Sequence, residues 1–231
     1  MSGAKMRACV MASALALAAR AGVVEAQPVP VPNVWMPTEP TACDLAAWPS
    51  YRLGTPLVVR SAPDAQAVAL GAIPTRAQER EYPHSVRFQV KEARRGWLKI
   101  ADASDAYNEG ETDADDRPLP VRTVYSGEGW IPADAAQFAI QSARGFARPD
   151  RAGERVLDLG DDWVTDMGRV TAIRACGRDG WVLVDYVIQR ESVGGALQAL
   201  PANRIRTGTA WFQGVCGAEE TTCDMASVDR D

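Results

Sequence analysis

Few side chains in this 231-residue chain could serve as a nucleophile or a base. His84 is the single histidine, and it lies in the polar stretch Pro83-His84-Ser85. A cysteine or serine hydrolase needs a nucleophile that a neighbouring base activates. The chain has no Gly-x-Ser-x-Gly and no Cys-Gly-x-Cys element, and no carboxylate pair at a fixed spacing suggests acid–base catalysis. We therefore expect a protein that is not an enzyme and has neither catalytic residues nor a cofactor.

Carboxylates are concentrated in one stretch, residues 102–120. The acidic residues in it are Asp102, Asp105, Glu109, Glu111, Asp113, Asp115 and Asp116. A stretch with so few apolar side chains is expected to be a solvated insertion. Its Asp-x-Asp-Asp spacing could hold calcium, but the glycine and the distal glutamate of a calcium loop are missing. One histidine and no Cys-x-x-Cys pair also argue against zinc, so we predict no metal site.

The cysteines suggest disulfide chemistry instead. Cys9 lies in the apolar N-terminal run, and four cysteines follow it: Cys43, Cys176, Cys216 and Cys223. An even number is typical of a protein that folds in an oxidising compartment. Four cysteines allow three pairings. We favour Cys176–Cys216 together with Cys43–Cys223, and the main alternative is a Cys216–Cys223 bond that closes a short loop.

The N-terminus has the pattern of a secretory signal. Lys5 and Arg7 precede an apolar run over residues 8–19, and small residues around Ala26 offer a cleavage site. The run is shorter than the roughly 20 residues that a membrane span needs. We predict a signal peptide over 1–26 and a periplasmic or secreted protein without membrane insertion after cleavage. An uncleaved N-terminal anchor is the alternative.

Charge restricts the partners further. The whole chain has 25 basic and 30 acidic residues, and the predicted signal peptide contains three basic and one acidic of these, which leaves a net charge of −7 after cleavage. Such a balance makes nucleic acid or an anionic membrane surface an improbable partner.

The elements that must position any site follow from an internal repeat. Residues 92–100 (EARRGWLKI) and 175–184 (ACGRDGWVLV) both run from a charged turn through Gly-Trp into apolar residues, with the tryptophans 84 residues apart. This pattern predicts a hairpin whose second strand has a buried face. The flanking segments match in the same order: 61–64 with 147–150, 86–93 with 169–175, and 129–131 with 210–212. Ordered matches of this kind indicate internal repetition.

No segment has an amphipathic helical period of ten residues or more, so the sequence predicts an all-β protein. The first repeat resembles the bacterial SH3-like (SH3b) domain. The matching segments are 57–63 (LVVRSAP), 68–73 (VALGAI), 96–100 (GWLKI) and 129–131 (GWI). The second repeat keeps Gly180-Trp181 and 210–212 (AWF) but starts from 145–149 (GFARP) without the first motif.

The resemblance implies two tandem small SH3-like barrels, at 55–142 and at 145–225, the second more divergent. A proline-rich linker over 27–54 would connect them to the signal peptide. The resemblance also implies binding of peptidoglycan, as cell-wall glycan or peptide. The aromatic surface for it would be made from Trp97, Trp130, Trp181 and Trp211. Each of these tryptophans could instead fill the core of a small barrel.

Two alternatives remain open from the sequence. The protein could be an interaction factor for another exported protein, such as an inhibitor, an immunity-type factor or an accessory subunit, with the acidic insertion docking on a basic partner. Within the linker, Trp35 and Trp48 either pack on the folded body or contribute to a binding surface.

Overall fold

The computed structural model describes residues 33–77, 84–105, 112–118, 121–217 and 228–229. The predicted signal peptide and Cys223 lie outside these residues. Within them the chain is built of antiparallel strands, which confirms the all-β prediction. The described helical segments are short: α1 (Val164–Met167) and 3-10 turns at Tyr51–Leu53, Ala133–Ala135 and Ala202–Arg204.

The first sheet contains eight of the described strands. They are β1 (Thr41–Pro49), β2 (Leu57–Arg60), β3 (Ala69–Ile73), β4 (Arg76–Ala77), β5 (His84–Arg94), β6 (Trp97–Asp105), β7 (Arg122–Pro132) and β8 (Ala136–Gln137). Their order across the sheet is β3-β2-β7-β6-β5-β1-β8, and β4 pairs with β5 from outside this path.

The second sheet has five strands. They are β10 (Arg144–Phe146), β11 (Arg155–Asp158), β12 (Gly168–Cys176), β13 (Val182–Ile188) and β16 (Arg206–Phe212). Their order is β11-β10-β16-β13-β12. Two smaller pairs complete the described strands: β9 (Ala139–Ile140) with β17 (Val215–Cys216), and the hairpin of β14 (Arg190–Val193) and β15 (Ala196–Ala199).

The two sheets share one strand order. The first sheet contains the order β3-β2-β7-β6-β5, and the second sheet has the order β11-β10-β16-β13-β12. When these five strands of each repeat are numbered along the chain, both orders read second, first, fifth, fourth and third. The Gly-Trp motifs occupy corresponding places, since Trp97 begins β6 and Trp181 directly precedes β13. The glycine of each motif is the second of two successive left-handed residues in a turn, Arg95-Gly96 and Asp179-Gly180. Such turns match the right-handed twist of the flanking strands, which explains the glycine in each motif.

Among the described residues, the core is continuous between the sheets. One cluster contains Phe88, Leu98 and Ile131 of the first sheet together with Ile173 and Phe212 of the second. Contact between the sheets is made where β12 packs against β5 and β1. Each large apolar side chain buried there contributes about 2 kcal/mol to folding.

The predicted linker over 27–54 is partly wrong, because Thr41–Pro49 forms β1. This strand pairs with β5 along Thr41–Ala47 and with β8 at Trp48 and Pro49. The alternation of β1 is hidden by its alanines, so it escaped detection in the sequence.

The prediction that the chain forms disulfides is confirmed, but the favoured pairing of the cysteines is wrong. Cys43 on β1 is bonded to Cys176 at the end of β12, with Cα atoms 5.3 Å apart and a sequence separation of 133 residues. The favoured Cys176–Cys216 and Cys43–Cys223 bonds are therefore wrong. Cys216 is also disulfide-bonded. The main alternative, Cys216 with Cys223, leaves Cys43 and Cys176 for each other and agrees with the observed bond.

Among the described residues, no helix has the length and apolarity that crossing a membrane requires.

Candidate functional site

The four tryptophans predicted to bind are divided between the two sheets. Trp97 is half-buried at the start of β6, and Trp130 is buried in β7 opposite Lys99. Trp181 and Trp211 are both buried and belong to one cluster at the second sheet. The structure therefore does not assemble all four residues into a single surface.

The second cluster covers the face of the second sheet that points away from the shared core. We call it the aromatic face, and it consists of Phe146, Ala175, Trp181, Leu183 and Trp211. Strand register places Trp211 between Phe146 on β10 and Leu183 on β13. The rings of Phe146 and Trp181 meet edge to face, with centroids 5.5 Å apart. This arrangement gives a continuous apolar platform.

Residues 33–37, here called the Trp35 segment, contact this platform through Val34 and Trp35. The Trp35 ring stacks on the Trp211 ring with centroids 5.6 Å apart and planes inclined by 20°. The Trp211 Nε1–H donates to the Trp35 carbonyl at 2.8 Å, and the Trp35 N–H donates to the Ala147 carbonyl at 2.8 Å. Val34 packs against the same cluster. The sequence alternative in which Trp35 packs on the folded body is thus confirmed.

A cavity of about 570 Å³ lies beside the Trp35 segment. Its lining includes Trp35, Pro37, Pro149, Arg178, Trp181 and Trp211. A second cavity of about 710 Å³ is lined by both cysteines of the Cys43–Cys176 disulfide, by the Gly177–Gly180 turn and by Gln213. Both cavities open beside the turn that precedes β13, so this end of the second sheet is concave.

The corresponding positions of the first sheet are polar. Trp130 is in register with Arg60 and Lys99, where Trp211 faces Phe146 and Leu183. Lys99 forms an ion pair with Glu128, and Arg60 donates to the Ala67 carbonyl at 2.8 Å. The same strand order therefore carries an apolar platform in the second repeat and charged side chains in the first.

The acidic insertion has its own local structure in the part that is described. Thr112 and Pro118 form a β-bridge, and Asp113 between them accepts hydrogen bonds from the N–H groups of Asp115 and Arg117. These bonds, with that from Arg117 foremost, lower the pKa of the Asp113 carboxyl. Arg117 also forms ion pairs with Asp113 and Asp115. The carboxylate oxygens that calcium would need at Asp113 are thus engaged by protein donors.

No group of three or more His, Cys, Asp or Glu side chains within the described ranges could hold a metal ion. His84 begins β5 and pairs through its backbone with Ala77, and its side chain lies outside the described residues.

Sequence reasoning missed Phe146 and Leu183 as parts of the aromatic face. A signal for Leu183 was present, because β13 (VLVDYVI) is apolar on both sides of the strand. A nearly continuous apolar run indicates a strand that is covered on both faces. Phe146 offered no comparable signal, since β10 has three residues and too little length for a periodic pattern.

Comparisons of the chain with protein-family models, with curated proteins and with solved structures find no match.

Proposed function

We propose that this chain is an exported, non-catalytic binding protein of the cell envelope that recognises peptidoglycan or a wall-associated peptide through two SH3-like barrels. The observation that carries the proposal is the strand order shared by the two sheets, each with a Gly-Trp motif at the start of its fourth strand. Small β folds of this kind use exposed strands and loops to hold extended ligands.

Two further observations support export. A structural disulfide such as Cys43–Cys176 is typical of proteins in an oxidising environment, such as the periplasm or the extracellular space. The apolar run over residues 8–19 has the length of a signal peptide. The proposal of a binding role without catalysis is supported by the single histidine and the lack of a nucleophile motif in the sequence.

The test is co-sedimentation with isolated peptidoglycan sacculi. The chain from residue 27 onward should pellet with sacculi over a range of salt concentrations, and failure to do so removes the wall ligand. The effects of Trp97→Ala and Trp35→Ala on sacculus binding then show which sheet holds the ligand, since Trp97 is half-buried on the first sheet and Trp35 lies over the second. Met36→Ala is the matched control, because Met36 is 54% exposed beside Trp35.

A role as an interaction factor for another exported protein is the second candidate. It is supported by Asp115 and Asp116, which are exposed on the acidic insertion. Asp115→Asn with Asp116→Asn should abolish capture of a basic partner from envelope extract, whereas Asp134→Asn, at another exposed aspartate, should leave it unchanged. Capture that survives the double substitution rules out the insertion as the docking element.

A further inference from the structure

We infer that the aromatic face of the second sheet is a peptide-binding site occupied in cis by the Trp35 segment, and that it takes in trans an extended peptide carrying a tryptophan. The inference rests on the proposed binding function for the class of ligand, and it adds the location of the site and the chemistry that the site selects.

The contacts of the Trp35 segment are those of a bound peptide. Its backbone gives one hydrogen bond, from Trp35 N–H to the Ala147 carbonyl, and receives one, from Trp211 Nε1–H to the Trp35 carbonyl. Its side chain adds one ring stack. Backbone hydrogen bonds together with a pocket for one side chain are how extended peptides are generally recognised.

The segment belongs to no strand, and its side chains remain largely open to solvent. Residues 33–37 precede β1 and form no ladder, and Trp35 is still 46% exposed while stacked. A segment whose only role was to seal a core would bury its largest side chain. The adjoining cavity of about 570 Å³ also shows that the concave surface extends beyond what the segment fills.

The chemistry of the platform determines what it selects. Its floor is apolar and aromatic, so an offset-stacked ring is favoured over a charged side chain. Two polar groups are directed at the occupant: the indole N–H of Trp211, which requires a carbonyl acceptor, and the Ala147 carbonyl, which requires a backbone N–H. The rim at Arg178 and Asp179 has both signs of charge and gives no preference for an acidic or a basic peptide.

The short stretch of chain between Trp35 and Cys43 explains why a free peptide must compete with the Trp35 segment for the site. Trp35 lies eight residues before Cys43, which the disulfide fixes to Cys176 at the edge of the same site. A segment on so short a tether has an effective concentration of about 1 mM or more, so it suppresses binding of a free peptide of similar affinity.

The experiment uses the full chain and a synthetic peptide with the sequence of residues 33–40 (NVWMPTEP), acetylated and amidated. Binding is followed in every variant by the backbone amide NMR resonances of β13 and β16. Val34→Ala with Trp35→Ala removes both side chains that rest on the platform. We expect this variant to bind the peptide saturably with a Kd below about 0.1 mM and the unchanged chain to bind it at least about tenfold more weakly.

Two controls make the result specific. The same peptide with alanine in place of its tryptophan should not bind. Adding Trp211→Phe to the double variant keeps a ring but removes the indole donor, and it should weaken binding about fivefold, the equivalent of one hydrogen bond. Retention of the circular dichroism spectrum shows that each variant is folded.

The inference is overturned if the folded double variant does not bind the peptide, or binds it equally well without the tryptophan. Dimerisation of the unchanged chain through exchanged Trp35 segments, with no peptide bound by the double variant, would make a second copy the occupant and would also overturn it. Sacculus binding without peptide binding removes this inference alone. Peptide binding without sacculus binding removes only the wall ligand.

Discussion

Trp35 and Trp211, 176 residues apart in the chain, are joined by a ring stack and by a hydrogen bond from the Trp211 indole to the Trp35 carbonyl. The contact joins a segment that belongs to no sheet to the most deeply buried tryptophan among the described residues. It covers the outer face of the second sheet, whose equivalent in the first sheet carries Arg60 and Lys99.

Trp35→Ala should lower the free energy of unfolding by about 2 kcal/mol, from the lost stack and the lost apolar burial of a half-exposed ring. The hydrogen bond to Trp211 involves the backbone carbonyl, so the substitution does not remove its acceptor. Guanidinium unfolding measures the difference. Met36→Ala, at the exposed neighbour, should change stability by less than about 0.5 kcal/mol. Equal stability of the two variants would contradict a stabilising stack.

Replacing both Cys43 and Cys176 by alanine should cost about 3 to 5 kcal/mol, because the bond closes a long loop, with a sequence separation of 133 residues, and restricts the unfolded chain. Denaturant unfolding under non-reducing conditions measures the loss. Peptide mapping of the unchanged chain should recover Cys43 linked to Cys176. A recovered Cys176–Cys216 peptide would contradict the observed pairing.

Gly168→Ala should destabilise the chain by about 3 kcal/mol, because a Cβ there would lie 1.9 Å from the Val187 carbonyl oxygen on the neighbouring strand. The backbones of β12 and β13 would have to separate. Gly160→Ala is the comparison, since its Cβ would meet nothing within 4 Å and only its φ of +71° is unfavourable. That change should cost about 1 kcal/mol. Similar losses at both sites would rule out the close approach as the cause.

Tyr186 should make stability depend on alkaline pH. Burial raises the pKa of its phenol, and the nearby Arg206 opposes this only in part. A raised pKa in the folded state means that stability is fully present below the unfolded pKa, about 10, and is lost as pH rises through the folded pKa. Tyr186→Phe removes this dependence. Above pH 10 the free energy of unfolding of the variant, relative to that of the unchanged chain, should therefore increase by up to about 1.4 kcal/mol per pH unit.

Urea unfolding at pH 8 and at successive values above pH 10 measures this effect. The difference between the two chains at pH 8 is the control, because the phenol is protonated there in both the folded and the unfolded chain. A difference that stays constant across the series would contradict the raised pKa.

Local pattern was sufficient for most strands. The charged turns before Trp97 and Trp181 predicted the start of the next strand, and the matched segments 86–93 and 169–175 form the central parts of β5 and β12. These features depend on neighbours two to five residues apart, which the sequence displays directly. The internal repeat seen in the sequence corresponds to the strand order that the two sheets share.

The candidate site was predictable only in part. Trp181 and Trp211 were named from the repeat, and the structure places them together in the aromatic face. Trp97 and Trp130 were named by the same reasoning, but strand register surrounds Trp130 with Arg60 and Lys99 instead. A shared motif specifies the place of a tryptophan in its strand, whereas the side chains on adjacent strands determine what surrounds it.

Residue order alone thus determined the β class, the repeat, the turns and the presence of disulfide chemistry. Tertiary packing decided the rest: the entry of Thr41–Pro49 into the first sheet, the pairing of Cys43 with Cys176, and the seat of Trp35 on Trp211. The physical reason is that such contacts join residues more than a hundred positions apart, and their free energy comes from surfaces that exist only once both sheets have formed.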